Sequence, residues 1–134
     1  MKALEILFVE DDMIEIMKLT RAAVSLKLPH NIMKANNGEE ALEILKNKLP
    51  DLILLDLNMP KMNGIEFLSV LKNNENLKYL PTIIFTTSIN PKDLEEAYRI
   101  GISGYILKPL KYKDYVSRID YLFKYWSMNE LKTR

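Results

Sequence analysis

The 134 residues include no cysteine and a single histidine, His30. Disulfide frameworks, Cys-ligated zinc, iron–sulfur clusters and thiol nucleophiles are thereby excluded, as is a metal site built from several imidazoles. The chain also lacks an excess of either charge: nineteen Lys and Arg against eighteen Asp and Glu leave +1. That is far from the strongly basic balance of a dedicated nucleic-acid domain. No apolar run exceeds four residues, those at 6–9 and 52–55 being the longest, whereas a membrane helix needs about 20. No basic flank with an apolar stretch and a small-residue cleavage site opens the chain. The expectation is a cytoplasmic protein with neither nucleic acid nor membrane as partner. What is present, 48% hydrophobic and 28% charged residues, suffices for one core in one domain spanning 1–134.

Three short apolar segments, 3–9, 51–56 and 82–86, end in polar or acidic residues, the pattern of strands buried on both faces of a parallel sheet. Weaker strands are read at 30–35 and 104–107. Between them lie segments of helical spacing. The first, 14–28, carries apolar residues at 14, 17, 24 and 28 and stops at Pro29. The second, 39–48, brings Ala41, Leu42 and Leu45 onto one face after the Asn36-Asn37-Gly38 turn. Segments 64–73, 91–100 and 112–128 complete five strand–helix pairs, the fourth helix opening on Asn90 as cap and Pro91. Five such alternations predict an α/β fold: a doubly wound five-stranded parallel sheet with helices on both faces and right-handed crossovers.

Functional groups of such a sheet collect beyond the carboxyl ends of its strands. The first strand ends in Glu10-Asp11-Asp12, the third in Asp56, the fourth in Thr86-Thr87-Ser88 and the fifth in Lys108-Pro109. Singly, each has a bland explanation. The acidic triplet can cap the next helix, Thr86 can be an ordinary β-branched strand end, and Lys108 a solvated charge. Asp56 is harder to dismiss, because a carboxylate ending a buried strand is costly unless paired or metal-bound. Together they place carboxylates, a hydroxyl and an ammonium at one mouth.

These residues resemble the receiver domain of two-component response regulators, including the single-domain chemotaxis regulators, over residues 3 to about 125. The resemblance rests on Ile6-Leu-Phe-Val-Glu-Asp-Asp12, on Asp51-Leu-Ile-Leu-Leu-Asp-Leu-Asn-Met-Pro60 with Asn63-Gly64, on Pro81-Thr-Ile-Ile-Phe-Thr86, and on Gly101-Ile-Ser-Gly-Tyr-Ile-Leu-Lys-Pro109. It implies a flavodoxin-like fold with Asp56 as phosphoacceptor. It further implies a magnesium site of Glu10, Asp11, Asp56 and the Asn58 carbonyl, with Asp11 a direct ligand. Thr86 becomes the switch hydroxyl, Lys108 the phosphate-binding ammonium and Tyr105 the aromatic that follows the switch. A cis bond before Pro109 is implied in the same way. Asp12 lies one position past the acidic pair, where helix capping is the better reading.

The chemistry agrees with this placement. A carboxylate attacking an anionic phosphodonor needs positive charge to neutralise the transition state, and oxygen-only ligands suit magnesium. Phosphorylation then adds charge and strong acceptors at Asp56; Thr86 moves to donate, and Tyr105 rotates into the space it leaves. Gly64 is read as freeing the backbone after the Met59-Pro60 turn. Thr87, where many relatives carry a smaller residue, reads either as bulk that narrows access to Asp56 or as surface variation, and Asn58 and Ser88 flank the acceptor as short, uncharged side chains.

The implied partners are a sensor histidine kinase or phosphotransfer protein and a downstream protein target. The last helix, extended at the C-terminus, places Tyr112, Tyr115, Val116, Ile119, Leu122, Phe123 and Trp126 toward the sheet and Tyr121, Tyr125 and Met128 toward another side. The second stripe reads as core edge or as an interface, including a homodimer, built from Tyr105, Tyr121 and Tyr125, and seven basic against three acidic residues from Lys108 onward suit an acidic partner surface. A magnesium-dependent aspartyl-phosphate phosphohydrolase is the alternative, but its Asp-x-Asp arrangement meets Asn58 here. A flavin carrier lacks its phosphate-binding loop after the first strand.

Overall fold

The computed structural model describes residues 2–87 and 89–132. Among the described residues, five strands, β1 (Glu5–Val9), β2 (Asn31–Ala35), β3 (Leu52–Leu55), β4 (Thr82–Thr86) and β5 (Gly104–Leu107), alternate with five helices. These are α1 (Met13–Ser25), α2 (Gly38–Leu45), α3 (Gly64–Lys72), α4 (Pro91–Ile100) and α5 (Tyr112–Ser127). All strand pairs are parallel, in the order β2-β1-β3-β4-β5. The order reverses between β1 and β3, so the crevice beyond their carboxyl ends is where such a sheet binds ligands.

Period-two alternation along the strands splits the core into two layers. Leu7, Val9, Ile53, Leu55 and Ile84 pack under α2, α3 and α4, while Ile6, Phe8, Leu52, Leu54, Ile83 and Phe85 pack under α1 and α5. Both faces being covered, the strands need no polar alternation, which is why β3 reads Leu-Ile-Leu-Leu and is buried throughout. Each large side chain fully withdrawn from water, such as Phe8, Phe67 or Phe123, contributes about 1.5–3 kcal/mol.

Local chemistry sets the helix starts. Asp12, Asn37, Asn63 and Asn90 each cap a helix by accepting backbone N–H groups, and Asn63 with Glu66 forms a reciprocal capping box. Pro91 occupies the first turn of α4. The α1 face differs from the sequence expectation: Ile16, Leu19 and Ala22 are buried, whereas Ile14, Met17 and Val24 are exposed. Of the apolar row that starts at Ile14, only Leu28 packs against the core, and partly, because the sheet is met by the row two positions later. On α5, Tyr115, Ile119, Leu122 and Phe123 are buried, and Tyr121, Tyr125 and Met128 are exposed as expected; Tyr112, at 40% exposure, lies at the edge of the covered face.

Candidate functional site

Glu10, Asp56 and Lys108 each stand one residue beyond a strand, yet the ladder still holds them. Their backbone N–H groups donate to the carbonyls of Ala35 at 2.9 Å, Val9 at 3.0 Å and Thr86 at 2.7 Å. The sheet thus fixes the Cα positions of two acids and a base at its β1/β3/β5 mouth, and all three side chains are buried. Thr86, the last residue of β4, is buried beside them. No cis peptide bond occurs among the described residues, so the bond before Pro109 is trans, contrary to the family-based expectation. The Lys108 N–H bond to Thr86 continues the β4 pairing one residue past β5, and the Lys108 side chain is buried.

Lys108 Nζ donates to Glu10 Oε1 at 2.6 Å and lies 3.5 Å from Glu15 Oε2. The other Glu10 oxygen accepts the Asp12 N–H at 3.3 Å. Burial pushes the Glu10 carboxyl up to about 7 against the lowering pull of Lys108, with the Asp56 charge adding to the rise. Burial likewise raises Asp56 above the usual carboxylate value. Lys108, a hydrogen bond with Glu10 and the backbone N–H of Asn58 oppose that rise, and Asp11 reinforces it. Carboxylate oxygens of Glu10, Asp11 and Asp56 all lie within 4.8 Å of one another. Like charges so close, two of them out of water, are stable together only with a proton or a cation among them. An all-oxygen set of this kind fits a hard divalent cation.

The loop after Asp56 is shaped by Gly64, though not as a flexible turn: its φ is not positive. A Cβ there would stand 2.5 Å from the Asp56 carbonyl oxygen and 2.7 Å from Leu57 Cα, while the Gly64 N–H donates to the Leu57 carbonyl at 3.1 Å. The glycine therefore permits close approach of α3 to the chain carrying Asp56.

The sequence-predicted residues converge, with two qualifications of place. Asp11 is exposed at the rim and Asn58 is exposed in the loop, as is Thr87 one residue past β4; Ser88 lies outside the described residues. Tyr105 is half-buried against the α2/α3/α4 layer, hydrogen-bonded to the backbone at Asn90. It is on the opposite sheet face from Ile106, which joins Tyr121, Tyr125, Arg118 and Trp126 in lining a groove along the β5 edge. Glu15 was not anticipated. In sequence it resembles an ordinary surface acid paired with Lys18 three residues on, and that pair does exist at 3.6 Å; its approach to Lys108 depends on the packing of α1 over the sheet.

Comparison with known proteins places this geometry in context. The sequence matches the family model of the response regulator receiver domain over residues 6–120. It is 35% identical over 127 residues to the probable methanogenesis regulatory protein FilR2 of Methanothrix harundinacea, covering 90% of this chain and 82% of that one. It is 30% identical over 128 residues to the response regulator Rcp1 of Synechocystis, covering 90% and 87%. Among solved structures, the phosphorylated cyanobacterial phytochrome response regulator RcpA superposes with a TM-score of 0.91 at 30% identity, over 98% of this chain and 99% of that one. The Mn(2+)-bound form of Rcp1 gives 0.87 at 28% identity, over 97% and 99%. With the family match spanning most of the chain and the strand-end acids, hydroxyl and lysine gathered at one mouth, this protein belongs to the response regulator receiver domain family.

Proposed function

We propose that Asp56 is the phosphoacceptor and that the chain acts as a single receiver unit, taking its phosphoryl group from a histidine kinase or phosphotransfer protein in the cytoplasm. The observation that carries this reading is the buried Asp56 carboxylate at the end of β3, within 4.8 Å of the Glu10 and Asp11 oxygens and in the field of Lys108. A carboxylate oxygen of Asp56 attacks phosphorus, the bond from phosphorus to the donor nitrogen breaks, and the departing imidazole keeps the electron pair and takes up a proton. Glu10, Asp11, Asp56 and the Asn58 carbonyl would hold magnesium, which would supply charge neutralisation at the phosphoryl group. The residues do the rest. Lys108 offers a compact ammonium to the phosphoryl oxygens, Thr86 donates its hydroxyl once they arrive, and Tyr105 repacks against β4. The protein therefore promotes its own phosphorylation and the later hydrolysis. Asn58 offers no second carboxylate to serve as acid and base, which disfavours a dedicated phosphohydrolase.

Incubation with acetyl phosphate and magnesium is expected to add one phosphate, and excess chelator to prevent it; intact mass measures both. Full labelling in chelator would remove the metal from the reading. Output is proposed to leave through α5, whose exposed Tyr121 and Tyr125 flank the β5 edge among basic residues, as a homodimer or a contact with a downstream protein. In sedimentation, the Tyr121→Ala/Tyr125→Ala variant is expected to lose any dimer that a phosphoryl mimic induces in the wild type. A dimer indifferent to both tyrosines would exclude this surface.

A further inference from the structure

Lys108 has two carboxylates to answer to. Its ammonium is 97% buried by side chain, bonded to Glu10 at 2.6 Å and 3.5 Å from Glu15 Oε2. The Glu15 oxygen that faces it is itself buried and makes no hydrogen bond. The other Glu15 oxygen faces Lys18 at 3.6 Å. An ionised oxygen out of water and without a donor is costly, so its attraction for the nearby ammonium is what stabilises it in this state. Glu15 lies on α1, which covers the sheet face opposite Tyr105.

We propose that Glu15 is a positioning residue for Lys108: in the unphosphorylated protein it draws the ammonium toward α1, and the phosphoryl group on Asp56 must win the lysine from it. This rests on the reading of Asp56 as phosphoacceptor. The lysine is held by Glu10 at 2.6 Å and drawn by Glu15 at 3.5 Å, against a phosphoryl group carrying nearly two charges and three acceptor oxygens, so the phosphoryl group wins, at a cost to which Glu15 adds. When the lysine leaves, Glu15 is not stranded. Lys18 remains beside it, 4.5 Å above the Tyr115 ring, and the buried Tyr115 hydroxyl, which has no hydrogen-bond partner among the described residues, lies in the field of the same carboxylate. Glu15 thus sets how readily the site accepts an anion without touching the anion itself.

The test is beryllofluoride binding with magnesium, followed by fluorine NMR or calorimetry, on wild type, Glu15→Gln, Lys108→Met and the double variant. Gln keeps the shape of Glu15 and removes its charge. Glu15→Gln is expected to bind beryllofluoride roughly two- to fivefold more tightly, the range a partly screened ion pair supports, and the gain is expected to vanish when Lys108 is Met. If Glu15→Gln binds no more tightly, or the gain persists without the lysine, the positioning role is wrong; in the second case Glu15 repels the anion directly. Should Lys108→Met bind too weakly to measure, a crystal structure of Glu15→Gln without phosphoryl mimic decides: Lys108 Nζ is expected to leave the α1 side, and an unmoved ammonium overturns the proposal. Absence of beryllofluoride binding in the wild type would instead overturn the phosphoacceptor reading.

Discussion

Asp56→Asn abolishes phosphoryl incorporation from acetyl phosphate and, in excess chelator, yields a more stable protein than the wild type. The loss follows from chemistry: the amide is neutral and a far weaker nucleophile, and Glu10, the other buried strand-end carboxylate, is already engaged by Lys108 at 2.6 Å. The gain follows from electrostatics. Burial holds the Asp56 carboxyl above its ordinary value and Glu10 up to about 7. The folded state therefore binds protons that the unfolded state has released. For such groups stability is full below the unfolded values near 4 and declines as pH rises toward 7. The Asn variant removes one of the two acids and so is expected to gain on the order of 1–2 kcal/mol at neutral pH and to lose less stability between pH 5 and 8. His30 works in the other direction, since burial lowers its value and its protonation costs stability as pH falls below about 6.5; it is common to both proteins and cancels in the comparison. Intact mass and denaturant unfolding at several pH values measure the two effects. Labelling of the Asn variant at wild-type level would move the acceptor elsewhere, and equal stabilities would mean that the acids are not strained by their burial.

What was legible in the sequence was whatever depends on residues near one another along the chain. The strand runs at 52–55 and 82–86, the Asn90-Pro91 start of α4 and the caps at Asp12 and Asn90 are local statements of period and propensity, and the structure has them. The site was legible because a parallel sheet carries every strand end to the same side, so Glu10, Asp11, Asp56, Thr86 and Lys108 could be assembled from topology alone. Three features were not. Which stripe of α1 is buried depends on its rotation over the sheet, and two apolar rows, one from Ile14 and one from Ile16, compete on that helix. The need for glycine at 64 looks like turn chemistry until the Asp56 carbonyl is seen 2.5 Å from where a Cβ would stand. The approach of Glu15 to Lys108 joins residues 93 positions apart, and nothing in the pattern of α1 distinguishes Glu15 from a solvated partner of Lys18.

Lys108→Arg, conservative in charge, slows phosphorylation by about tenfold and impairs the response of the partner surface further. The ammonium sits in a closed space: its side chain is 3% exposed, with Glu10 Oε1 at 2.6 Å, Glu15 Oε2 at 3.5 Å and the Phe85 ring centroid at 5.6 Å. A guanidinium is planar and broader and carries its donors in a fixed fork, so it cannot occupy this volume and still turn from Glu10 to a phosphoryl group. Displaced toward the mouth, it still supplies positive charge near Asp56, and a tenfold loss is the size of effect expected when a stabilising cation is kept but misplaced, about 1.4 kcal/mol. Switching asks for more, because the two states must differ in energy by where this cation sits. Lys108 begins the connection between β5 and α5, so its movement from Glu10 to the phosphoryl group is transmitted along that segment, whereas a guanidinium held at the mouth in both states transmits little. Labelling rate by intact mass, set beside partner or self-association with and without phosphoryl group, separates the two losses. A phosphorylated Arg variant with wild-type affinity for its partner would show that the lysine neutralises charge without carrying the signal.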